Sequence, residues 1–471
     1  MASDLSLELT GEAWAALASG GPETPQPVGV EVTGEPGHLP SRLPVEDTAI
    51  ACVSVALLAA VALHHRRGGT LPSRGRVSVG RGHVSAAVRS ERYFRRGTRS
   101  AGAGFAPLSR FWRTADGWVR THANYPWHRA AMLRTLKTAE DLDAVAAALA
   151  GLRAEDVEEQ VFAAGGVATA VRPLPTWQSH PQGRALASEP LVGHQLVGDA
   201  PPRSRPAGAL PATGVRVLDL TRVIAGPVCT RFLAALGADV LRLDPPQRPD
   251  MRVGAVADTL LGKHSARLDL DEENGRATLE GLLADADVIV CGYRPGALDR
   301  FGLNPTTLAE RDPGVVVVYL DAWGHTGPWA SRRGFDSVVQ APTGIAMAES
   351  NTGAEPSALP CQLLDHGTGY LAAAAVLDGL SRQSESGGTH VRRLSLARTA
   401  WWLTSSKPSE ERSAAANPAS AASSPPWLTD LDSADGPVTA VTPPGTLDAQ
   451  PLRWPFPLTG YGNDPPAWSS I

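Results

Sequence analysis

Asp365 is the residue of this sequence whose setting is best suited to covalent chemistry. It lies in the segment LLDHGTGYLAAAAVL, directly before a predicted helix and after two leucines. An aspartate in that position most often caps the helix N-terminus with its side chain. The same carboxylate can also attack an activated carbonyl group and form a covalent acyl intermediate. The segment alone leaves both roles open, and capping is the more frequent one.

The elements that must position Asp365 follow an alternating pattern of strands and helices. Continuous apolar runs predict four strands, and the segments 228–238 and 274–284 predict helices between them. Strands that are apolar throughout indicate a parallel sheet buried on both faces. The sequence therefore predicts an α/β fold, with a Rossmann-like parallel sheet and helices on both faces, plus a smaller α+β domain. The predicted strands are 215–220, 240–244, 287–293 and 315–320.

Polar loops follow three of these strands, where an open parallel sheet usually binds its ligand. No GxGxxG pattern follows the first strand and no P-loop motif occurs in the sequence, which argues against NAD and ATP. The loops contain Thr221-Arg222, Arg294-Pro295-Gly296 and Asp321-Ala322-Trp323-Gly324.

Composition excludes several classes of protein. The 471 residues correspond to about three domains, with 43% hydrophobic and 19% charged residues. A net charge of -5 gives no electrostatic reason to bind nucleic acid or a membrane. Four isolated cysteines favour reduced core thiols over a disulfide framework or a zinc site. The acidic N-terminus has no signal-peptide pattern, and the apolar run 49–63 is short for a membrane span, so we expect a cytoplasmic protein.

The chain divides into five segments by pattern. Residues 1–38 predict an N-terminal arm, and 39–205 a smaller region with a hairpin at 111–121 and helices near 127–136, 139–151 and 154–164. The end of this region and the residues that follow it, 166–213, are rich in Pro and Gly and predict a connector to the sheet domain. The sheet domain covers 213–403, a low-complexity linker 404–426, and a tail packed by tryptophans 427–471.

A weak internal repeat relates the two halves of the chain. The segments starting at Leu39 and Leu359 share five identities in 19 positions, and RVSVGR (76–81) is similar to RRLSLAR (392–398). The repeat predicts that one helix occurs twice. At this offset Val45 takes the place of Asp365, which predicts a single working site.

The motifs between Gly214 and Leu380 resemble those of the family III CoA-transferases. They occur in the family's order: GVRVLDLTRVIAGP, GYRPGALDRFG, AWGHTGP, RRGFDSVVQAPTG and LPCQLLDHGTGYLAAAAVL. The resemblance implies that CoA moves from an acyl-CoA to a carboxylic acid through an aspartyl-CoA thioester on Asp365. Leu364 replaces the glycine usual before this aspartate. The family's halves are rearranged here, because the small-domain-like region precedes the nucleotide-binding half.

The same resemblance implies a set of CoA contacts. The loop after the first strand is expected to lie along CoA, and three basic residues are expected near its phosphates, although single surface charges are the commoner explanation. CoA is then a substrate and no cofactor is bound permanently. A homodimer, possibly interlocked, is implied as well. We also expect the helix N-terminus to keep Asp365 ionised. The implied CoA contacts are Arg222, Val223, Ile224, Ala225, Lys263, Arg300 and Arg333.

Two other functions compete with CoA transfer. An α-methylacyl-CoA racemase would share the fold, but Phe335 occupies the position of the histidine that this class uses, and His325 and His366 lie elsewhere in the motifs. A catalytically inactive acyl-CoA-binding subunit would explain the rearranged halves and Leu364.

Overall fold

The structure is a computed structural model that describes residues 4–19, 26–70, 76–100, 104–250, 257–406 and 426–469. Most of the predicted linker 404–426, and part of the predicted arm 1–38, lie outside these residues.

The first part of the chain contains nine helices and eight strands among its described residues. In chain order the helices are α1 (Leu5–Ala18), α2 (Val45–Arg66), α3 (Arg81–Ala87), α4 (Ser90–Tyr93), α5 (Pro126–Leu136), α6 (Leu142–Ala150), α7 (Ala154–Ala163), α8 (Leu174–Ser179) and α9 (Pro181–Ala187). The strands are β1 (Val30–Thr33), β2 (Val77–Gly80), β3 (Arg95–Arg96), β4 (Arg99–Ser100), β5 (Phe111–Arg113), β6 (Trp118–Thr121), β7 (Ala168–Ala170) and β8 (Gly193–Val197).

The second part alternates strands and helices and ends in a set of short strands. Its helices are α10 (Ala225–Ala235), α11 (Glu273–Ala284), α12 (Pro305–Arg311), α13 (Asp336–Val339), α14 (Ile345–Ala348), α15 (Leu363–Ser386) and α16 (Leu396–Ser405). Its strands are β9 (Arg216–Leu220), β10 (Asp239–Asp244), β11 (His264–Arg267), β12 (Val288–Cys291), β13 (Val316–Asp321), β14 (Thr389–Ser395), β15 (Leu428–Leu431), β16 (Val438–Val441), β17 (Thr446–Leu447) and β18 (Gln450–Pro451).

The central sheet has seven strands in the order β11-β10-β9-β12-β13-β14-β8. The first six are parallel, and β8 pairs antiparallel with β14. Successive side chains of a strand point to opposite faces. Val217 accordingly packs in the core on the α10 and α15 side, and Leu218 packs with α11 on the other. The predicted α/β fold with helices on both faces is thus confirmed.

The smaller sheets join the ends of the chain. Strands β5, β6 and β7 form a three-stranded sheet packed with α6 and α7, and this unit carries α5. The tail does more than pack by its tryptophans, because β17 pairs with β2 and β16 pairs with β3. Trp427 also stacks on His83 with ring centroids 5.4 Å apart.

The connector predicted over 166–213 contains regular secondary structure. This segment contains β7, α8, α9 and β8. Its prolines do not break the helices, since Pro181 occupies the first position of α9, where no backbone N–H is needed. Pattern also missed β11 and β14, because pairing with neighbouring strands decides these polar segments.

Helices α2 and α15 pack against each other at the centre of the molecule. Gly367 of α15 faces Cys52 of α2, and a side chain added at Gly367 would lie 3.3 Å from the Cys52 sulfur. Each of these helices is followed by a strand and a further helix, α2-β2-α3 and α15-β14-α16, although the sequence repeat predicted only the repeated helix. Val45–Arg66 is the one described helix that is long and apolar enough to cross a membrane, and 89% of its most apolar window is buried inside the fold.

Candidate active site

A cavity of about 290 Å³ lies where the first part of the chain meets the central sheet. One wall is the start of α5, with Tyr125, Trp127 and His128. The opposite wall consists of the loops after β9, β12 and β13, at the carboxyl ends of neighbouring parallel strands. Asp365 contributes to the floor. This location is where an open α/β sheet binds ligands.

Asp365 is the third residue of α15 and is buried, with a relative exposure of 5%. The alternative that Asp365 caps its helix is wrong, because Gln362 is the N-cap residue. Asp336 supplies a carboxylate to this helix start instead. Its Oδ2 accepts a hydrogen bond from the Asp365 backbone N–H at 3.1 Å, and its Oδ1 accepts one from Gln340.

Two carboxylates in contact with the helix start have raised pKa values. Burial raises the pKa of Asp365 well above its ordinary value, and the charges of Asp336 and Glu91 raise it further. Burial also raises the pKa of Asp336 to about 7. These effects oppose the ionised form of Asp365, which the helix N-terminus was expected to favour. Asp336 instead accepts the amide hydrogen bonds of this turn.

Four arginines line the cavity without a carboxylate partner at ion-pair distance in the described part of the chain. They are Arg222, Arg248, Arg294 and Arg333. The pKa of Arg333 is lowered by burial and by the charges of Arg294 and Arg248. Burial and the charges of Arg333, Arg222 and Arg248 lower the pKa of His128 to about 4. Clustered guanidinium groups of this kind suit a phosphate-bearing ligand.

The loop before α10 contributes most of its predicted residues to this cavity. Arg222, Val223 and Ala225 line it, whereas Ile224 is the N-cap residue of the helix and does not. Val223 has φ +69°, which is unfavourable for a β-branched residue. Its backbone N–H donates a hydrogen bond to Asp250 at 3.1 Å. A strained backbone held in this way is typical of ligand-binding loops.

The structure does not bring two of the predicted CoA contacts to the cavity. Lys263 is fully buried, with its Nζ 2.9 Å from Asp219 and 2.9 Å from the Pro227 carbonyl oxygen. Its ammonium group stabilises the turn after β9, and its contact with CoA phosphate stays a prediction that this burial does not favour. Arg300 is exposed, pairs with Asp271 at 2.8 Å and lies over the Phe301 ring, outside the cavity lining. Its phosphate contact stays a prediction.

Sequence reasoning missed the residues that the first part of the chain supplies. Tyr125, Trp127 and His128 carry no motif, and only the packing of α5 against the sheet domain brings them to the site. Arg294 and Asp321 had a usable signal, since both lie in polar loops directly after predicted strands. Arg248 had none.

Residues 213–441 match the model of CoA-transferase family III. This region belongs to CoA-transferase family III. The family thus covers the sheet domain, Asp365 and part of the tail, and the resemblance read from the motifs is confirmed.

Curated relatives align with the same part of the chain. The chain is 37% identical over 199 residues to acetyl-coenzyme A transferase nodX of Hypoxylon pulicicidum, covering 41% of this chain and 33% of that protein. It is 32% identical over 208 residues to probable fatty acyl-CoA transferase Rv3272 of Mycobacterium tuberculosis, covering 41% and 52%. It is 31% identical over 185 residues to a formyl-CoA:oxalate CoA-transferase of Rhodopseudomonas palustris, covering 37% and 43%. The chain thus spans about a third to a half of the length of these relatives.

Solved structures of the family align over a similar share. The crystal structure of Rv3272 from M. tuberculosis gives a TM-score of 0.40 at 32% identity, covering 42% of this chain and 56% of that one. A CAIB/BAIF family protein from Brucella suis gives a TM-score of 0.39 at 25% identity, covering 48% and 65%.

Proposed function

We propose that this protein transfers CoA from an acyl-CoA to a carboxylic acid, with Asp365 as the nucleophile. The observation that supports this proposal is the arrangement within one cavity. A nearly buried carboxylate lies in the floor and four guanidinium groups lie in the walls, and among the described residues none of them has an oppositely charged partner at ion-pair distance. The guanidinium groups would bind the phosphates of CoA, and the thioester would reach Asp365. The family match supports the same reaction class.

The reaction balances without a cofactor or an oxidant. An oxygen of the Asp365 carboxylate attacks the thioester carbonyl, the C–S bond breaks, and a mixed anhydride and CoA thiolate result. The thiolate attacks the aspartyl carbonyl, which gives an aspartyl-CoA thioester and releases the first acid as a carboxylate. The acceptor carboxylate then attacks this thioester, and the two steps run in reverse to give the new acyl-CoA and free Asp365.

The environment of Asp365 favours this route. Burial and the neighbouring carboxylates of Asp336 and Glu91 destabilise the ionised form of Asp365. The anhydride and the thioester carry no charge on this side chain, so the same environment does not penalise them. A carboxylate that is costly to keep ionised is correspondingly easier to convert into an uncharged acyl derivative.

We further propose a soluble, cytoplasmic homodimer that binds no permanent cofactor. The family resemblance supports the dimer. Light scattering on the purified full chain measures its mass, and a monomer under assay conditions would contradict this part of the proposal.

Peptide mass spectrometry tests the reaction. We expect a CoA adduct on the peptide that contains Asp365 after incubation with a panel of acyl-CoAs, or its reduced form after borohydride. The Asp365→Ala variant should give no adduct. Asp321→Asn is the matched control, because Asp321 is another carboxylate of the same cavity and should not carry the adduct. If both variants still form the adduct, the assignment of Asp365 is contradicted.

One observation favours a second function, α-proton exchange. Phe335 lacks an acid or base, but it stacks on His122 with ring centroids 3.7 Å apart, and His128 presents a ring to the cavity that also contains Asp365. A histidine and an aspartate in one cavity are the two acid–base groups that such a reaction needs. If the wild type exchanges deuterium into acyl-CoA without an adduct, and His128→Gln abolishes this exchange, isomerisation is the better description. Binding of acyl-CoA with neither signal would indicate an inactive subunit.

A further inference from the structure

The two ends of the cavity differ in charge. Arg222, Arg248, Arg294 and Arg333 surround the end that contains His128. Their guanidinium groups are held there by local contacts. Arg222 lies over the Tyr125 ring at 5.4 Å, and Arg294 donates a hydrogen bond to the Ser331 carbonyl oxygen at 3.2 Å.

The end that contains Asp365 has an apolar wall. Gly369 lies one turn after Asp365 on the same face of α15, and a side chain there would approach the Ala225 carbonyl oxygen to 2.5 Å. The start of α10 therefore lies directly against this face. On another side, the Ala397 N–H donates to the Ala322 carbonyl oxygen at 2.9 Å, which places Leu396 beside the end of β13. Apart from Asp321, the lining residues on these elements are apolar: Ala225, Gly226, Leu320, Ala322 and Leu396.

The charged groups near Asp365 are mainly acidic. Asp336 and Glu91 both act on the Asp365 carboxyl, and His366 is engaged by Glu91 at 3.2 Å. Asp321 lines the cavity as a further carboxyl. Arg332, the remaining arginine of the lining, is paired with Glu159. A second carboxylate on an acyl group would face these acids, because among the described lining residues the arginines without a carboxylate partner lie at the other end.

We propose that the acyl groups handled by this protein are short and uncharged, derived from monocarboxylic acids, and that dicarboxylic acyl groups are rejected. This inference rests on the proposed CoA transfer and narrows its substrate class. Size supports it, because the cavity of about 290 Å³ is at the small end of ligand pockets, which span roughly 300–1,000 Å³. The cavity must accommodate the thiol end of CoA as well as the acyl group.

A matched pair of donors tests the inference. Butyryl-CoA and succinyl-CoA have acyl chains with the same number of carbon atoms, but only succinyl-CoA carries a terminal carboxylate. With propionate as acceptor, we expect kcat/KM for propionyl-CoA formation to be at least about 100-fold higher with butyryl-CoA, because an unpaired charge in a desolvated pocket is unfavourable. Equal or faster transfer from succinyl-CoA would overturn the inference and leave the proposed function intact.

Absence of transfer from both donors would instead overturn the proposed function. The inference is then decided by equilibrium dialysis, in which the two acyl-CoAs compete for the intact protein. Tighter binding of butyryl-CoA supports the inference, and equal affinity or tighter binding of succinyl-CoA contradicts it.

A charge introduced into the apolar wall sharpens the test. Leu396→Arg should shift the ratio of the two kcat/KM values toward succinyl-CoA by about 10-fold, because it supplies the missing cation. Leu396→Met is the matched uncharged control and should keep the preference for butyryl-CoA. Thermal unfolding of both variants verifies that they fold. A folded Leu396→Arg variant with an unchanged ratio would place the acyl group elsewhere and overturn the inference.

Discussion

The starts of α2 and α15 are alike in local structure and opposite in environment. Their N-cap residues, Pro44 and Gln362, have similar backbone angles, φ -76° and ψ 55° against φ -80° and ψ 61°. Counted from these caps, Asp47 occupies the third helical position in α2, as Asp365 does in α15, although the repeat offset pairs Asp365 with Val45.

The carboxylates at the first helix start are engaged in structural contacts. Glu46 accepts hydrogen bonds from the backbone N–H groups of residues 37–39. Arg81 pairs with Asp4 at 2.7 Å, with Asp47 at 3.2 Å and with Glu46 at 3.5 Å. At the second helix start, Asp365 borders a cavity, and none of the described residues pairs with it as a cation. A carboxylate in the first turn of a helix is therefore not a nucleophile by itself, and its neighbours decide its role.

The largest expected effect comes from removing the cation at the first helix start. Arg81→Met leaves Asp4, Glu46 and Asp47 without their shared partner, and we expect the free energy of unfolding to fall by about 3 kcal/mol. The kcat of CoA transfer should stay within about 2-fold, since these contacts lie away from the cavity lining. Urea unfolding and steady-state assays measure both. A large loss of kcat in the folded variant would contradict the contrast between the two helix starts.

An intermediate effect is expected at the second helix start. Asp336→Ala removes the carboxylate that accepts the Asp365 amide hydrogen bond, so kcat/KM should fall by about 10-fold. The acidic limb of the kcat/KM profile should also move to lower pH, because the charge of Asp336 raises the pKa of Asp365. Asp336→Asn retains a hydrogen-bond acceptor and should restore part of the rate. An unmoved acidic limb in both variants would show that Asp336 has only a structural role.

Of these effects, the pH dependence of stability is the smallest at neutral pH, where most of the contribution of Asp336 is lost. Folding raises the pKa of Asp336 from 3.8 to about 7, so the folded state binds this proton more tightly than the unfolded state. The stabilisation is complete below pH 3.8 and is lost as the pH rises toward 7, at about 1.4 kcal/mol for each unit of pKa difference. Asp336→Asn should flatten this part of the curve, measured by urea unfolding between pH 4 and pH 8. Parallel curves for variant and wild type would contradict the raised pKa.

The sequence by itself determined the α/β sheet domain and the nucleophile candidate. Apolar strands buried on both faces leave a strong local signal, and the motif around Asp365 is continuous along the chain. The loop at 222–225 was also predictable, because ligand loops of such sheets follow the strands directly. Strand β8, in contrast, was not predicted. It is an exposed edge strand that is defined by its pairing with β14 and has little sequence pattern of its own.

Only the tertiary structure decided what surrounds Asp365. In the folded chain, Lys263 is buried in contact with Asp219. His128 and Arg248, which lie in segments without a motif, line the cavity. The tertiary structure also assigned the hydrogen bonds of the helix start to Asp336, and burial there raises the pKa of Asp365 instead of lowering it. The physical reason is that burial and charge–charge interactions depend on distances in space between residues far apart in the chain, and sequence spacing does not specify these distances.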